Sequence, residues 1–208
     1  MWTWSLNWGD VTPRIVVGTC PMQPGDLRRI RSEAAVSAVL SLQHDDCHSY
    51  WNIDYQAMRR AGEALGLEMM RCPIRDFDVS DMRRCLPRSV PILARLLSQG
   101  HRTYVHCTAG LGRAPLTVLA YLILVEGCGP ETAIRRVLKA RPEAVPAWEA
   151  YYGFRADLVA RHRSTIERRA YELHETGAYA DAQTDWVRAE EEVLRAVLTD
   201  GTVPWRPV

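Results

Sequence analysis

Cys107 and Arg113 stand with five residues between them, and those five are small or neutral: Thr108, Ala109, Gly110, Leu111 and Gly112. The run from Thr103 to His106 just before them reads as a short buried strand. Leu116 to Val125 after them reads as a helix packed on most sides. A strand, a small-residue loop and a helix gather backbone N–H groups and a helix N-terminus around a single anion. A cysteine at the mouth of such a loop is favoured as its thiolate, the reactive form. The planar fork of an arginine can bind two phosphate oxygens at once. A nucleophile, an anion cradle and a charge clamp in one short loop are the parts needed to cleave a phosphate ester.

The His106-Cys107-x5-Arg113 pattern is the signature of the cysteine-dependent phosphatases. The fuller form, His-Cys-Thr-Ala-Gly-Leu-Gly-Arg-Ala-Pro over 106–115, resembles more narrowly the loop of the glucan phosphatases. These are the laforin-like and starch-excess-type enzymes of the dual-specificity branch. The resemblance runs from about Pro13 to Tyr152, through the blocks Val-Val-Gly-Thr-Cys-Pro (16–21), Leu-Ser-Leu-Gln (40–43) and Ile-Arg-Asp-Phe-Asp (74–78). It implies a dual-specificity-phosphatase α/β fold, a central sheet flanked by helices. It also implies removal of phosphate monoesters from a starch- or glycogen-like polysaccharide through a phosphocysteine. Many relatives carry a hydroxyl residue directly after the arginine. Here it is Ala114, as in glucan phosphatases ending Gly-Arg-Ala-Pro.

In this chemistry the Cys107 thiolate attacks phosphorus. The loop's N–H groups and Arg113 hold the equatorial oxygens, and His106 tunes the loop through hydrogen bonds. The leaving oxygen needs a proton. The resemblance assigns that role to Asp76, on a separate acidic loop from Ile74 to Asp81, with Asp78 as its local competitor. As a carboxylate, the same group would then activate the hydrolytic water. The resemblance also implies that Trp8, Tyr50, Trp51 and Phe77 contact the glucan near the pocket, with Asp81 as a further polar position. Flat aromatic faces suit the apolar faces of sugar rings. Three alternatives stay open: a protein phosphatase acting on phosphotyrosine, phosphoserine or phosphothreonine, a phosphoinositide phosphatase, and a non-catalytic binder of phosphorylated glucan or protein. The neutral Thr108, Ala109 and Leu111 weigh against the second, and the retained Cys107, Arg113 and Asp76 against the third.

Elements able to hold these residues alternate along the chain, as in an α/β layered fold. Strands are expected at Arg14–Gly18, Val36–Leu42 and Leu67–Cys72, the last ended by Pro73. Helices are expected from Pro24 to about Ala35, from an Asp54 N-cap to about Leu65, and from Pro87 to Ser98 with Pro91 in the first turn. Residues 43–52 read as a polar loop. Further helices follow at about Glu131–Ala140 and from near Pro146. Trp2 and Trp4 read as a lid packed on the core. No separate carbohydrate-binding domain is apparent.

Composition bounds the rest. The 208 residues, 47% hydrophobic and 25% charged, suit one globular domain with an appendage. A net charge of +1 predicts no strong pull toward nucleic acid or membrane. The basic charge is nearly all arginine, Lys139 being the single lysine. The six cysteines fit neither a disulfide scaffold nor a paired zinc site, so reduced thiols, a cytoplasmic setting and no metal or cofactor are expected. The N-terminus lacks the pattern of a signal peptide, and the longest apolar run falls well short of a membrane span.

The phosphatase domain is expected over 1–160 and a helical hairpin over 161–208, resembling a short helical module of no assigned role found mainly in bacterial proteins. Its apolar stripe of Ile166, Tyr171, Leu173, Trp186 and Val193 must pack on something. Docking on the phosphatase domain is the simpler expectation, with homodimerisation or partner binding as alternatives. The stretch from Val203 to Val208 reads as extended.

Overall fold

Three strands carry side chains buried at every position, as a parallel sheet covered on both faces requires. In the computed structural model, which describes residues 3–177 and 181–200, five strands form one sheet. They are β1 (Trp8–Thr12), β2 (Ile15–Gly18), β3 (Ala38–Gln43), β4 (Glu68–Ile74) and β5 (Thr103–His106), in spatial order β1-β2-β5-β3-β4. β1 is antiparallel to β2 and every other pairing is parallel. The last strand before Cys107 is therefore the central one. Its carboxyl end opens at the middle of the sheet's rim, where parallel α/β sheets place their sites.

The period of two sorts side chains between two cores. Ile15, Val17, Ala38, Leu40, Leu42 and Val105 face one side, and Val16, Val39 and Tyr104 the other. The second face is covered by α1 (Pro24–Glu33) and α3 (Tyr55–Ala64). The first is covered by α4 (Val79–Ser98), α5 (Arg113–Leu124), α6 (Pro130–Ala140) and α7 (Trp148–Arg161). The helix α5 is buried on nearly every side, which is why its sequence is apolar almost throughout.

Local chemistry moved several boundaries. β1 precedes the strand expected at Arg14, and the Thr12-Pro13-Arg14 turn joins the two. Residues 43–52 are not all loop: α2 (Asp45–Trp51) forms there, with its acidic start at the positive helix end and Asn52 closing it at φ 51°. β4 continues through Pro73, because an edge strand can spare one N–H. The largest correction is α4, which begins eight residues before Pro87. The Asp78 carboxylate accepts the Asp81 N–H at 2.8 Å, an N-cap strong enough to start the helix there. Pro87 and Pro91 thus lie inside a 20-residue helix. The expected Asp54 cap is present, accepting from the Ala57 N–H at 2.9 Å.

At the C-terminal end, α8 (Arg163–Glu175) and α9 (Ala182–Thr199) pack on each other through Ile166, Leu173, Ala189 and Val193. α9 also sends Leu194 and Leu198 into the main core, against α4 and α5. The hairpin's buried apolar residues are thus shared between the α8–α9 contact and, through Leu194 and Leu198, the main core. Tyr171 departs from the expected stripe and is 64% exposed. It lies about 140° around the helix from Ile166, whereas Ala170 and Leu173 share Ile166's face. Trp4 packs on the core beside α1 and donates its indole N–H to the Cys20 carbonyl at 3.0 Å. Trp2 and the stretch from Val203 to Val208 lie outside the described residues.

Candidate active site

The loop from Cys107 to Gly112 links the end of β5 to the start of α5. Its shape is set from behind, by donors that hold its carbonyls. His106 donates through Nδ1 to the Cys107 carbonyl at 2.9 Å, the Cys20 N–H to the Thr108 carbonyl at 2.9 Å, and the Val145 N–H to the Leu111 carbonyl at 2.8 Å. In a trans peptide the C=O and the following N–H point opposite ways, and no peptide among the described residues is cis. Pulling these carbonyls outward turns the N–H groups of Thr108, Ala109 and Gly112 inward, toward one centre. Gly110 is at φ 71°, and a Cβ there would stand 2.5 Å from the Gly18 carbonyl oxygen. Only glycine lets the loop lie that close to β2.

The donor role of His106 follows from its charge state. Burial pushes its pKa down to about 4, so the ring is neutral near pH 7, and the nitrogen facing a carbonyl must be the protonated one. Cys20, also behind the loop, is held protonated. Burial, and next the neighbouring Cys107, push its thiol up to about 12.

Arg113 is the most enclosed charge here, its side chain 0% exposed. Nη1 donates to the Ile74 carbonyl at 2.9 Å and reaches the Cys47 sulfur at 3.4 Å. Nη2 donates to Asp76 Oδ2 at 2.6 Å and to Thr108 Oγ1 at 3.1 Å. Burial alone would weaken its hold on its proton. The charge on Cys107 and then on Asp76 more than offset this and raise its pKa above the ordinary value. Nε is buried with no hydrogen-bond partner among the described residues. A fully enclosed guanidinium with a spare N–H beside an amide-lined loop is a site built for one more acceptor.

Above this floor lies a cleft of about 670 Å³. Thr108, Ala109 and Leu111 form its base, Tyr50 and Trp51 of α2 one wall, and the segment Arg75–Asp78 the other. Tyr50 is 79% exposed and meets Trp51 edge-on, and Phe77 is 95% exposed at φ 57°. The three carboxylates of the acidic segment have separate surroundings. Asp76, with its side chain 36% exposed, faces Arg113. Asp78 lines the cleft while capping α4. Asp81 is buried, accepts the Arg75 N–H at 2.6 Å and pairs with Arg84. Asp81 thus sits on the first turn of α4, turned inward to brace the segment that carries Asp76, and is not part of the cleft lining. Trp8 also stands apart from the cleft lining. Pairing across from Gly18 lays its ring edge-on to Tyr104, against the α1/α3 core and away from the cleft lining.

Two relationships lie outside what the spacing suggested. Cys47 and His44 line the cleft, although a cysteine and a histidine in a polar stretch gave no signal. Val145 holds the catalytic loop from 34 positions away through backbone alone, which no residue type encodes. Among the described residues no group of three or more His, Cys, Asp or Glu could hold a metal ion, and no helix is long and apolar enough to cross a membrane.

A family model described as "Dual specificity phosphatase, catalytic domain" matches residues 31–154, which carry both walls of the cleft and its floor. The chain belongs to this family. Among curated proteins the chain is 32% identical over 163 residues to "Phosphoglucan phosphatase DSP4, amyloplastic" of Castanea sativa, across 77% of this chain and 43% of that protein. It is 27% identical over 148 residues to laforin of Mus musculus, across 66% of this chain and 45% of that one. The chain thus spans less than half the length of these relatives. Among solved structures, the crystal structure of PTPMT1 matches with a TM-score of 0.59 at 23% identity, covering 76% of this chain and 99% of that chain. That match is a likeness of fold.

Proposed function

We propose that this phosphatase removes phosphate monoesters from a phosphorylated glucan or oligosaccharide, through a phosphocysteine formed on Cys107. One observation carries the reading: an enclosed anion site with a spare Arg113 N–H lies at the foot of a cleft walled by Tyr50, Trp51 and Phe77. The floor suits a phosphate and the walls suit sugar rings. The name of the Castanea sativa relative, a phosphoglucan phosphatase, points to the same substrate class.

The bonds change as follows. Cys107 Sγ attacks phosphorus and the bond from phosphorus to the sugar oxygen breaks. Asp76 gives that oxygen a proton. Water then attacks phosphorus, Asp76 takes its proton, and the sulfur–phosphorus bond breaks to release inorganic phosphate. The N–H groups of Thr108 to Gly112 and the Arg113 guanidinium bind the developing charge. The Arg113–Asp76 pair has a part in this sequence. An incoming phosphate dianion takes over the guanidinium and frees the Asp76 carboxyl to turn toward the leaving oxygen.

We read residues 1–160 as the catalytic domain and 161–208 as a helical appendage. The family match ends at Phe154, within α7, in keeping with that division. The appendage is read as an intramolecular brace, since α9 sends Leu194 and Leu198 into the main core. Thiols that are all unpaired among the described cysteines suit a reducing compartment such as the cytoplasm or a plastid stroma.

Phosphate release from phosphoglucan, phosphopeptides and a small aryl phosphate tests the substrate. We expect kcat/KM on phosphoglucan to exceed that on phosphopeptides by at least about 10-fold. The reverse order makes the chain a protein phosphatase, and hydrolysis of the aryl phosphate alone removes the glucan from the reading.

A further inference from the structure

The carbonyl of Ala109 is held by a side chain, unlike those of Thr108 and Leu111. Arg141 follows directly on α6 and precedes Pro142, and a residue before proline is pushed out of helical backbone. It stands at φ −136° and ψ 84°, which turns its side chain off the helix and toward the back of the catalytic loop. Nη2 donates to the Ala109 carbonyl at 2.8 Å and Nη1 to Asn7 Oδ1, while Nε is buried without a partner among the described residues. The side chain passes close to Gly110, where a Cβ would stand 3.3 Å from Nη2, a tight contact.

We propose that Arg141 is a positioning residue of the catalytic loop, holding the Ala109 carbonyl outward so that the Gly110 N–H faces the bound phosphoryl group. The inference rests on the phosphoryl-transfer reading of the loop and not on the glucan. The geometry is the trans-peptide argument already applied at His106, Cys20 and Val145. Gly110 is the loop residue at positive φ, so its peptide is the one that local preference leaves least determined. Arg141 also places a second full positive charge behind the cradle, on the far side of the loop from Arg113. Burial lowers its pKa, and the charges on Tyr104 and then Cys107 act in the opposite direction. Asn7 sets the guanidinium's angle and is itself tied to the end of β2, its N–H meeting Thr19 Oγ1 at 3.1 Å. The loop is thereby clamped to the N-terminal segment.

The test compares Arg141→Met, Arg141→Gln and Arg141→Lys with wild type in the full chain. The readouts are aryl phosphate kinetics, the affinity for tungstate as a phosphoryl mimic, and the thermal unfolding midpoint. We expect Arg141→Met to weaken tungstate binding on the order of 10-fold and to lower kcat more than it raises KM, since the lost N–H counts most against transition-state charge. Arg141→Lys, which keeps charge and one donor, should recover most of the affinity, with Arg141→Gln between them. If Arg141→Met does not fold, the Gln and Lys variants carry the same comparison. Three variants within about 2-fold of wild type in tungstate affinity and kcat overturn the proposal. So does a loss of activity that tracks a lowered unfolding midpoint with tungstate affinity unchanged. A wild-type chain that neither binds tungstate nor cleaves the aryl phosphate overturns the phosphoryl-transfer reading along with it.

Discussion

The floor of the cleft and its rim are built on opposite principles. On the floor, Cys107 and Arg113 are buried, the loop carbonyls are held one by one, and Gly110 fits a gap that admits no side chain. On the rim, Tyr50 and Phe77 stand mostly in solvent. A floor fixed by many short contacts has one arrangement and serves one group, the phosphoryl. A rim fixed by few contacts can vary without disturbing the floor, and that is where one family can change substrates. On the proposed reading, chemistry and specificity are carried by different residues of a single cleft.

Changes on the floor should act on every substrate alike. Cys107→Ser should leave no measurable release from phosphoglucan or aryl phosphate, and residual turnover above the buffer blank would detach the chemistry from this loop. Next in size, Asp76→Asn should lower kcat by about 10²–10⁴-fold, whereas Asp78→Asn should cost little, because asparagine caps a helix about as well as aspartate. Equal losses in steady-state assays would mean that the Arg113 pairing does not mark the acid.

The rim should behave differently. Phe77→Ala and Tyr50→Ala should lower kcat/KM on phosphoglucan by about 10-fold, the equivalent of losing about 1.4 kcal/mol of ring contact, with little change on a small aryl phosphate. A matching drop on both substrates would erase the distinction between floor and rim.

The smallest effect concerns stability. The His106 pKa lies at about 4 in the folded chain, below the ordinary 6.5, because burial disfavours its charged form. Between those values the unfolded chain binds a proton that the folded one does not, so this contribution is complete above pH 6.5 and is lost as pH falls toward 4. The slope is about 1.4 kcal/mol per pH unit. His106→Asn keeps an N–H where Nδ1 stands and removes the titration. Urea unfolding of the variant should therefore show a shallower loss of stability between pH 6.5 and 4.5 than wild type. Identical pH dependence would mean that His106 is not the neutral prop of the loop.

Much of the site could be read in one dimension because its parts are adjacent in the chain. Strand, loop and helix around Cys107 span a score of residues, and anion-binding loops demand small residues there whatever surrounds them. The parallel sheet was legible for a similar reason: buried strands must be apolar on both faces, and β2, β3 and β5 are. Helix starts were less so. Pro87 looked like a helix start with Pro91 in its first turn, yet the Asp78 cap and the packing of α4 on α5 and α7 carried the helix through both.

From the sequence alone came the layered α/β fold, the loop from Cys107 to Arg113 proposed here as nucleophile and clamp, and the acidic segment, all written in local residue types and short periods. Tertiary structure alone decided which of Asp76, Asp78 and Asp81 meets Arg113, that Trp8 turns to the core, and which distant groups hold the loop carbonyls. These depend on approaches between segments tens of residues apart, and a backbone N–H such as that of Val145 leaves no trace in the identity of its side chain.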